Sequence, residues 1–472
     1  MVSSRTLAYQ ILLHIEQKAS HPDRLIRTTL ERHCNLDERD KALLTELVYG
    51  VTRWRGRLDW HIDELSRTRP DKIAPVVRVL LRLALYQILF LARVPAHAAV
   101  NDAVEIAKIS QPPHIARFIN AILREAARRG AGDPENVRSD LTGPSADPGR
   151  GGPAWNWPDK RKDPALYIAV MTSHPVWVVR RLIDEIGAEE AERFCESNNR
   201  IAHAVFRVNT LKTSPEEAAN SLKSEHIEAE PSPWLDGALR VKSPRRDMTE
   251  TAGFKEGLLQ AQDEASQLVS LLLSPKPGER VLDLCAGLGV KSAHIAILMR
   301  NEGEVLSVDK SAWKLEEARK NADRQGITII RALAEDVFAL RPESIGAFDR
   351  VLLDAPCTGL GTIRRKPDIK WRTHIKDPYR LSRLQKELLC HASRFLRAGG
   401  VLVYATCTVL KDEDESVAEQ LSEKSGPDLE LEPAAEKLPY TCREMISGPY
   451  YRSWPHKHEV DAFFSARWRS RG

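Results

Sequence analysis

The chain has 472 residues, 42% of them hydrophobic and 29% charged, with a net charge of only +4. That length exceeds what one core organises and predicts two to four domains, and the composition excludes wholesale disorder. The charge is unevenly placed: residues 1–130 hold 21 Lys and Arg against 14 Asp and Glu, or +7, which leaves −3 for the remaining 342 residues, a distribution suited to a polyanion-binding first third.

The N-terminal segment after Met1-Val2-Ser3-Ser4-Arg5 is amphipathic and broken by Gln10 and His14, so it has no signal-peptide core. Residues 5–129 read as helices throughout. Arg78 to Leu89 has helical apolar spacing, Asn101 or Asp102 is expected to cap a helix, and Phe118 to Arg124 continues the pattern. The most apolar stretch, Val76 to Leu91, contains Arg78, Arg82 and Gln87 and is not a membrane span. Residues 1–130 are therefore expected to form an all-α bundle. Arg53-Trp54-Arg55-Gly56-Arg57 is a basic-aromatic run within it that suits either RNA contact or a helix end.

Residues 131–165 contain six Pro and five Gly, the composition of a linker, with Trp155 and Trp157 available to pin part of it. Residues 166–256 read as a small α+β domain. It has a helix from Pro175 to Asn198, a strand over Ala204–Asn209, a helix from about Ser214 and a strand over Ala238–Val241. From 257 to 472 short apolar strands alternate with amphipathic helices. Helix Ala261–Leu273 precedes strand Val281–Leu284. Helix Lys291–Met299 precedes strand Val305–Val308, and helix Ala312–Gln325 precedes strand Thr328–Ile330. Strand Arg350–Leu353, helix Leu381–Leu396 and strand Val401–Tyr404 follow. Such alternation predicts a Rossmann-like α/β domain, a parallel sheet covered on both faces, with ligands beyond the carboxyl ends of its strands.

Two places on that edge carry chemistry. After the first strand, Cys285-Ala286-Gly287-Leu288-Gly289-Val290-Lys291 forms a glycine turn into a helix; Asp309 ends the second strand, and Asp336 lies beyond the third. A glycine turn plus an acid placed for ribose hydroxyls suits NAD, S-adenosylmethionine or a scaffold without a ligand. The dinucleotide fingerprint's third glycine and the phosphate-clamping Gly-Lys-Ser/Thr are both missing, which favours a cofactor without a pyrophosphate.

The second place holds two cysteines, each just after an apolar strand: Asp354-Ala355-Pro356-Cys357-Thr358-Gly359 and Tyr404-Ala405-Thr406-Cys407-Thr408. Methylation at carbon 5 of a pyrimidine needs such a pair. One thiolate adds to carbon 6 to make carbon 5 nucleophilic, and a second group manages release. The other cysteines, Cys34, Cys195, Cys390 and Cys442, are expected to be fillers. The seven form no CxxC pair and no zinc spacing, and an odd count in a long chain without a secretory signal predicts reduced, cytoplasmic thiols. His456 and His458 would share the face of a strand, with a structural role and no metal.

Asp354 to Gly361 is similar to the Asp-Ala-Pro-Cys-Ser-Gly-x-Gly motif of RNA (cytosine-5)-methyltransferases, and Ala405 to Leu410, followed by Asp412 to Glu415, resembles that family's Ala-Thr-Cys-Ser motif. Arg364 to Trp371, Arg207 to Lys212 and Trp454 to His458 also match, and Arg39 to Gly50 resembles the NusB-like domain of the bacterial Sun/RsmB-type 16S rRNA methyltransferases. The resemblance implies S-adenosyl-L-methionine as cofactor, touching Cys285 to Lys291, Asp309, Asp336 and Asp354. It implies Cys407 as nucleophile and Cys357 as releasing group, the reverse assignment being the alternative that DNA cytosine methyltransferases use. It implies RNA as partner, 16S rRNA free or in an early assembly particle, for a monomer that needs no membrane. Arg364 and Arg365, beside Cys357, suit an RNA strand with an exposed base; Lys370 and Arg372 suit equally a surface helix laced with salt bridges. One departure stands out: where the family reads Cys-Ala-Ala-Pro-Gly-Gly-Lys-Thr, this chain has Gly287, Leu288, Val290 and Ser292 at the third, fourth, sixth and eighth places. A β-branched Val290 holds a positive φ poorly, so an altered loop backbone or altered cofactor affinity is expected. A tRNA substrate, or an RNA-binding assembly or antitermination factor with a vestigial methyltransferase fold, are the other readings.

Overall fold

The computed structural model describes residues 3–18, 20–130, 155–241, 248–425 and 428–471. The 131–154 part of the expected linker lies outside them. The chain divides into two compact units, one of residues 1–201 with 363–374, the other of 202–362 with 375–472.

The first unit is helical. Its helices span Ser4–Lys18, Pro22–Arg32, Glu38–Leu65, Pro75–Phe90, Ala96–Ser110 and Pro113–Gly130, followed by Pro164–Met171, Val176–Ile186 and Ala188–Ser197. Helix Glu38–Leu65 starts where the Asp37 carboxylate accepts the Asp40 N–H at 2.7 Å. Helix Pro75–Phe90 is buried on nearly every side. Its Arg82 is tolerated there because Asp59 accepts two hydrogen bonds from it at 2.8 Å and Glu16 a third at 3.0 Å. No helix among the described residues is long and apolar enough to cross a membrane. Trp155 and Trp157 set their rings edge-on to His61, at 4.1 and 5.3 Å, with Arg129 and Arg57 over their faces, so the indoles pin the backbone after residue 154 to the bundle.

Three sequence expectations change here. Asn101 and Asp102 lie inside a helix that begins at Ala96, because Pro95 and Ala96 already open its first turn. Arg53 to Arg57 is mid-helix, not a helix end; Trp54 and Arg57 are buried and Arg55 pairs with Glu16 at 3.0 Å. The single helix from Pro175 to Asn198 is two helices, because Gly187 takes φ +82° at the break.

Within this unit the 363–374 segment forms the short helix Ile369–Arg372. Lys370 is fully buried and donates to Arg53 O (3.2 Å), Ser173 O (3.0 Å) and Asn199 Oδ1 (2.9 Å), while Trp371 Nε1 donates to Thr52 O at 2.7 Å. The surface-helix expectation therefore fails for Lys370: its ammonium is a cross-link inside the bundle. It holds better for Arg372, which pairs with Asp368 at 2.9 Å.

The second unit carries two sheets. The smaller has the order β2-β3-β1-β4 (β1 Ala204–Val208, β2 Ala229–Pro231, β3 Ala238–Val241, β4 Leu259–Ala261), all antiparallel. Helix Pro215–Ser224 beside it opens on a capping box between Ser214 and Glu217. Ala261 closes β4, so the helix expected from Ala261 begins at Glu264.

The larger sheet has nine strands among the described residues. The main run is β7-β6-β5-β8-β9 (β5 Arg280–Leu284, β6 Glu304–Asp309, β7 Ile330–Ala334, β8 Phe348–Asp354, β9 Leu396–Thr406), parallel throughout. Beyond β9 the sheet turns antiparallel through β13 (Phe464–Ser470), which also pairs with β10 (Leu429–Glu432) and β12 (Tyr450–Arg452), with β11 (Ile446–Ser447) at the edge. The sheet is thus mixed rather than wholly parallel, because β13 runs antiparallel beside β9. The third parallel strand lies two residues later than expected. The helix expected over Leu381–Leu396 is Asp377–Ala392, because Leu396 already opens β9. His456 and His458 sit on a helical turn, Pro455–His458, with His458 Nδ1 accepting the Trp454 N–H at 2.9 Å. Among the described residues no His, Cys, Asp or Glu cluster has the makings of a metal site.

Arg207 joins the two sheets of this unit. It is buried and donates to Gln262 Oε1, to Val290 O (2.9 Å) and to Gln325 Oε1 (2.9 Å). Asn209 adds bonds of 2.9 Å to Gly257 O and Gln325 O. The Arg-Val-Asn motif of β1 is therefore a clamp on the helices after β5 and β6.

Candidate active site

The glycine turn and the acids meet at the carboxyl edge of the parallel run. Asp309, at the end of β6, accepts the Gly287 N–H at 3.0 Å with one oxygen and the Ser311 N–H at 2.8 Å with the other. Left-handed φ values fall on Cys285 (+61°), Gly287 (+57°) and Gly289 (+68°), while Val290 is the first residue of a helix. The strain expected at Val290 is absent, since the one substituted position that takes a positive φ, Gly287, holds glycine. A Cβ on Gly287 would meet only Cys285 O, at 3.9 Å, so that side of the turn is open to a ligand. Below it Asp283 is fully buried; its Oδ2 accepts from Ser292 at 2.5 Å and its Oδ1 has no hydrogen-bond partner among the described residues. Burial pushes the Asp283 carboxyl up to about 7, with Asp354 and Asp309 adding to the rise. Burial likewise pushes the Cys285 thiol up to about 12, so it is an inert wall of the loop. Asp336, two residues past β7, is exposed and accepts the Phe338 N–H at 2.9 Å.

The cysteines lie on adjacent strand ends. Cys357 follows β8, Cys407 follows β9, and their sulfurs are 3.4 Å apart, both residues half-buried. Lys291, from the cofactor turn, donates to Asp354 Oδ2 at 2.6 Å. Burial alone would lower that ammonium, but the charge and hydrogen bond of Asp354, with Cys407 adding to them, hold it above the ordinary lysine value. The hydrogen bond with Cys407, then burial, then the charges of Cys407 and Glu413 push the Cys357 thiol well up. Negative charge thus opposes ionisation of Cys357.

Arg364 and Arg365 belong to the 363–374 segment of the helical unit. Arg364 is buried and its carbonyl accepts from Arg53 at 3.2 Å; Arg365 is half-buried. Sequence reading passed over Glu413, Thr358, Thr408 and Gln385. Glu413, fully buried, collects hydrogen bonds from the other three. The one signal for them was the threonine that follows each cysteine.

A parallel sheet closed by an antiparallel strand, with an open glycine turn after its central strand and an acid at the end of the next, defines an S-adenosylmethionine-dependent methyltransferase. The acceptors and negative charge at the turn fit that donor, whose ribose hydroxyls, ammonium and sulfonium call for both. Residues 270–469 match the profile of the 16S rRNA methyltransferase RsmB/F family, residues 2–128 that of the NusB family, and residues 174–248 that of the ferredoxin-like domain of RsmF/B-like methyltransferases. The chain is 36% identical to a probable ribosomal RNA small subunit methyltransferase B of Bacillus subtilis, over all of this chain and 99% of that one. It is 34% identical to ribosomal RNA small subunit methyltransferase B of Vibrio cholerae, over 89% of this chain and 90% of that one. Among solved structures it resembles PH0851, with a TM-score of 0.78 and 28% identity over 98% of both chains. The chain belongs to the RsmB/F family of 16S rRNA methyltransferases, and it is an S-adenosylmethionine-dependent RNA (cytosine-5)-methyltransferase.

Proposed function

We propose that the protein methylates carbon 5 of a cytosine in 16S rRNA, with Cys407 as the covalent nucleophile and Cys357 as the group that releases the product. The observation that carries this reading is the 3.4 Å approach of the two sulfurs beside the Lys291–Asp354 pair. S-adenosylmethionine, when bound, supplies an electrophilic methyl. Cys285 to Lys291, Asp309, Asp336 and Asp354 would hold it.

The Cys407 thiolate adds to carbon 6 of the ring. The S–C6 bond forms, and the ring's electron pair moves to carbon 5, which takes the methyl. Once Cys407 is a thioether, it no longer opposes ionisation of Cys357. Cys357 can then lose its proton to solvent and, as thiolate, take the proton from carbon 5. The C5–H electrons restore the C5=C6 bond, the S–C6 bond breaks, and Cys407 leaves as thiolate. The buried Glu413 carboxylate, which accepts the Thr358 N–H just after Cys357, favours Cys407 over Cys357 as the attacking group.

The basic helical region, 1–130, is the RNA-binding domain of this proposal, 166–256 the ancillary domain and 257–472 the catalytic one. Arg364 and Arg365 are proposed as RNA contacts, with Arg365 the better exposed. The enzyme would act in the cytoplasm, as a monomer, on free rRNA or an early particle whose target base can unstack. The test is incubation of the protein with 16S rRNA and cofactor. Cys407→Ala is expected to abolish turnover, and Cys357→Ala to trap a covalent protein–RNA adduct that survives denaturing electrophoresis. An adduct that accumulates with Cys407→Ala instead would reverse the assignment. Bisulfite sequencing of rRNA and tRNA from a strain lacking the protein separates the two substrates.

A further inference from the structure

Glu413 lies six residues past Cys407 and is fully buried. Its Oε1 accepts the Thr358 N–H at 2.9 Å and Gln385 Nε2 at 3.0 Å; its Oε2 accepts Thr358 Oγ1 at 2.6 Å and Thr408 Oγ1 at 3.2 Å. Thr358 and Thr408 each follow a cysteine, and their hydroxyl oxygens are 2.7 Å apart. Gln385 also donates to Pro356 O at 2.8 Å, on the other side of Cys357, and Tyr404 donates to the Glu413 carbonyl at 2.5 Å. One carboxylate therefore gathers donors from both sulfur-bearing turns; burial pushes it up, and these donors offset part of that cost.

The arrangement is also polarised. Glu413 opposes a charge on Cys357. Lys291, from the helix after β5, is held by Asp354 of β8 at 2.6 Å. Of the other ionisable groups packed about the turns, the Tyr404 phenol is held protonated by burial and by the acids beside it. Asp414 faces away, to Thr406 at 2.6 Å and Arg452 at 3.0 Å. We propose that Glu413 is a positioning residue of the reaction: it fixes the separation of the two sulfurs and confines the thiolate to Cys407. The proposal rests on the reading of Cys407 as nucleophile.

The experiment compares native protein with Glu413→Gln. Each is alkylated with iodoacetamide from pH 6 to 9, the rate at each cysteine is read by peptide mapping, and methylation of 16S rRNA is followed in parallel. In the native protein Cys407 is expected to react at least tenfold faster than Cys357, on the order of the bias one opposing charge imposes. In Glu413→Gln that ratio falls below about threefold, and kcat drops roughly 10- to 100-fold while KM for RNA stays within about twofold. A Glu413→Gln protein that keeps both the ratio and kcat overturns the proposal, as does a native ratio near one. Should Glu413→Gln fail to fold, Thr408→Val removes one arm only; if it melts near the native temperature yet keeps native kcat and ratio, Glu413 is only structural and the proposal falls. Full methylation by Cys407→Ala would defeat the proposed function instead, with the alkylation ratio still judging Glu413.

Discussion

Gly361 offers a direct way to move the nucleophile without touching it. Its N–H donates to Cys407 O at 2.9 Å, and its carbonyl accepts the Ala462 N–H at 2.9 Å. A Cβ at this position would sit 2.9 Å from Cys407 O and closer still to Ala462 O, both backbone atoms that no rotamer change can clear. Comfortable carbon–oxygen contact begins at about 3.3 Å, so in Gly361→Ala the Cys407 turn must shift by roughly half an ångström and the segment at Ala462, before β13, by more. A misplacement of about 1 Å at a reacting group costs on the order of 100-fold, so kcat is expected to fall roughly 10- to 100-fold. Overpacking should also lower stability by about 1–3 kcal/mol. Single-turnover transfer of labelled methyl to 16S rRNA reads the first effect and thermal melting the second. Calorimetry with S-adenosylmethionine should find affinity within about twofold, because the Cys285–Lys291 turn is not displaced. A rate within threefold of native, or an equal loss of cofactor affinity, would refute the reasoning.

Lys370→Met strands three buried acceptors and is expected to cost roughly 3 kcal/mol near neutrality. Burial, then the charge of Arg53, holds the Lys370 ammonium well below the ordinary lysine value. Between that lowered value and about 10.4 the unfolded chain binds the extra proton, so raising the pH favours the folded native protein. The stability gap between native and Lys370→Met should therefore widen as pH is raised through the lowered value toward about 10.4 in urea titrations; a gap flat up to about pH 10 contradicts the reading. Arg452→Met removes the cation that Asp414 and Glu415 share, at 3.0 and 2.7 Å, and is expected to cost about 3–5 kcal/mol at pH 8. Burial already raises Asp414 to about 7 in the folded protein, so its proton stabilises the fold at low pH and that contribution is lost as pH rises through 7. Without Arg452 the loss deepens, so the cost should be smaller at pH 6 than at pH 8; equal costs would count against it. Asp309→Ala removes the acceptor from the Gly287 turn and should weaken S-adenosylmethionine binding roughly 10- to 100-fold by calorimetry, unchanged affinity telling against the proposed cofactor site.

The fold class was legible because helical and strand periodicities are local. The helix over Ala312–Gln325 falls on its expected residues. What was not legible depends on partners distant in sequence. Nothing near Lys370 announces that its acceptors are Arg53, Ser173 and Asn199, so a basic stretch read as surface is in fact core. The antiparallel strands after β9 are short and mixed in composition, and only their pairing with β13 or, for β11, with β12 makes them strands. The cysteines and the glycine turn stood out because their chemistry is rare, whereas Glu413 was hidden inside an acidic run whose members look alike until their donors are known. Val290 shows the limit of residue-by-residue comparison, since a replacement that seems strained is harmless once the backbone places it in a helix.

The excursion of residues 363–374 has a consequence for synthesis. The sockets for Trp371 and Lys370 are built by Thr52, Arg53, Ser173 and Asn199, yet their occupants emerge from the ribosome about 170 residues after the last of these. The helical unit therefore cannot finish folding when its own first 201 residues are made. It waits, with those carbonyls still wet, until the first four strands of the catalytic sheet have followed, so a nascent chain halted before residue 363 should remain softer to protease than its length alone would suggest.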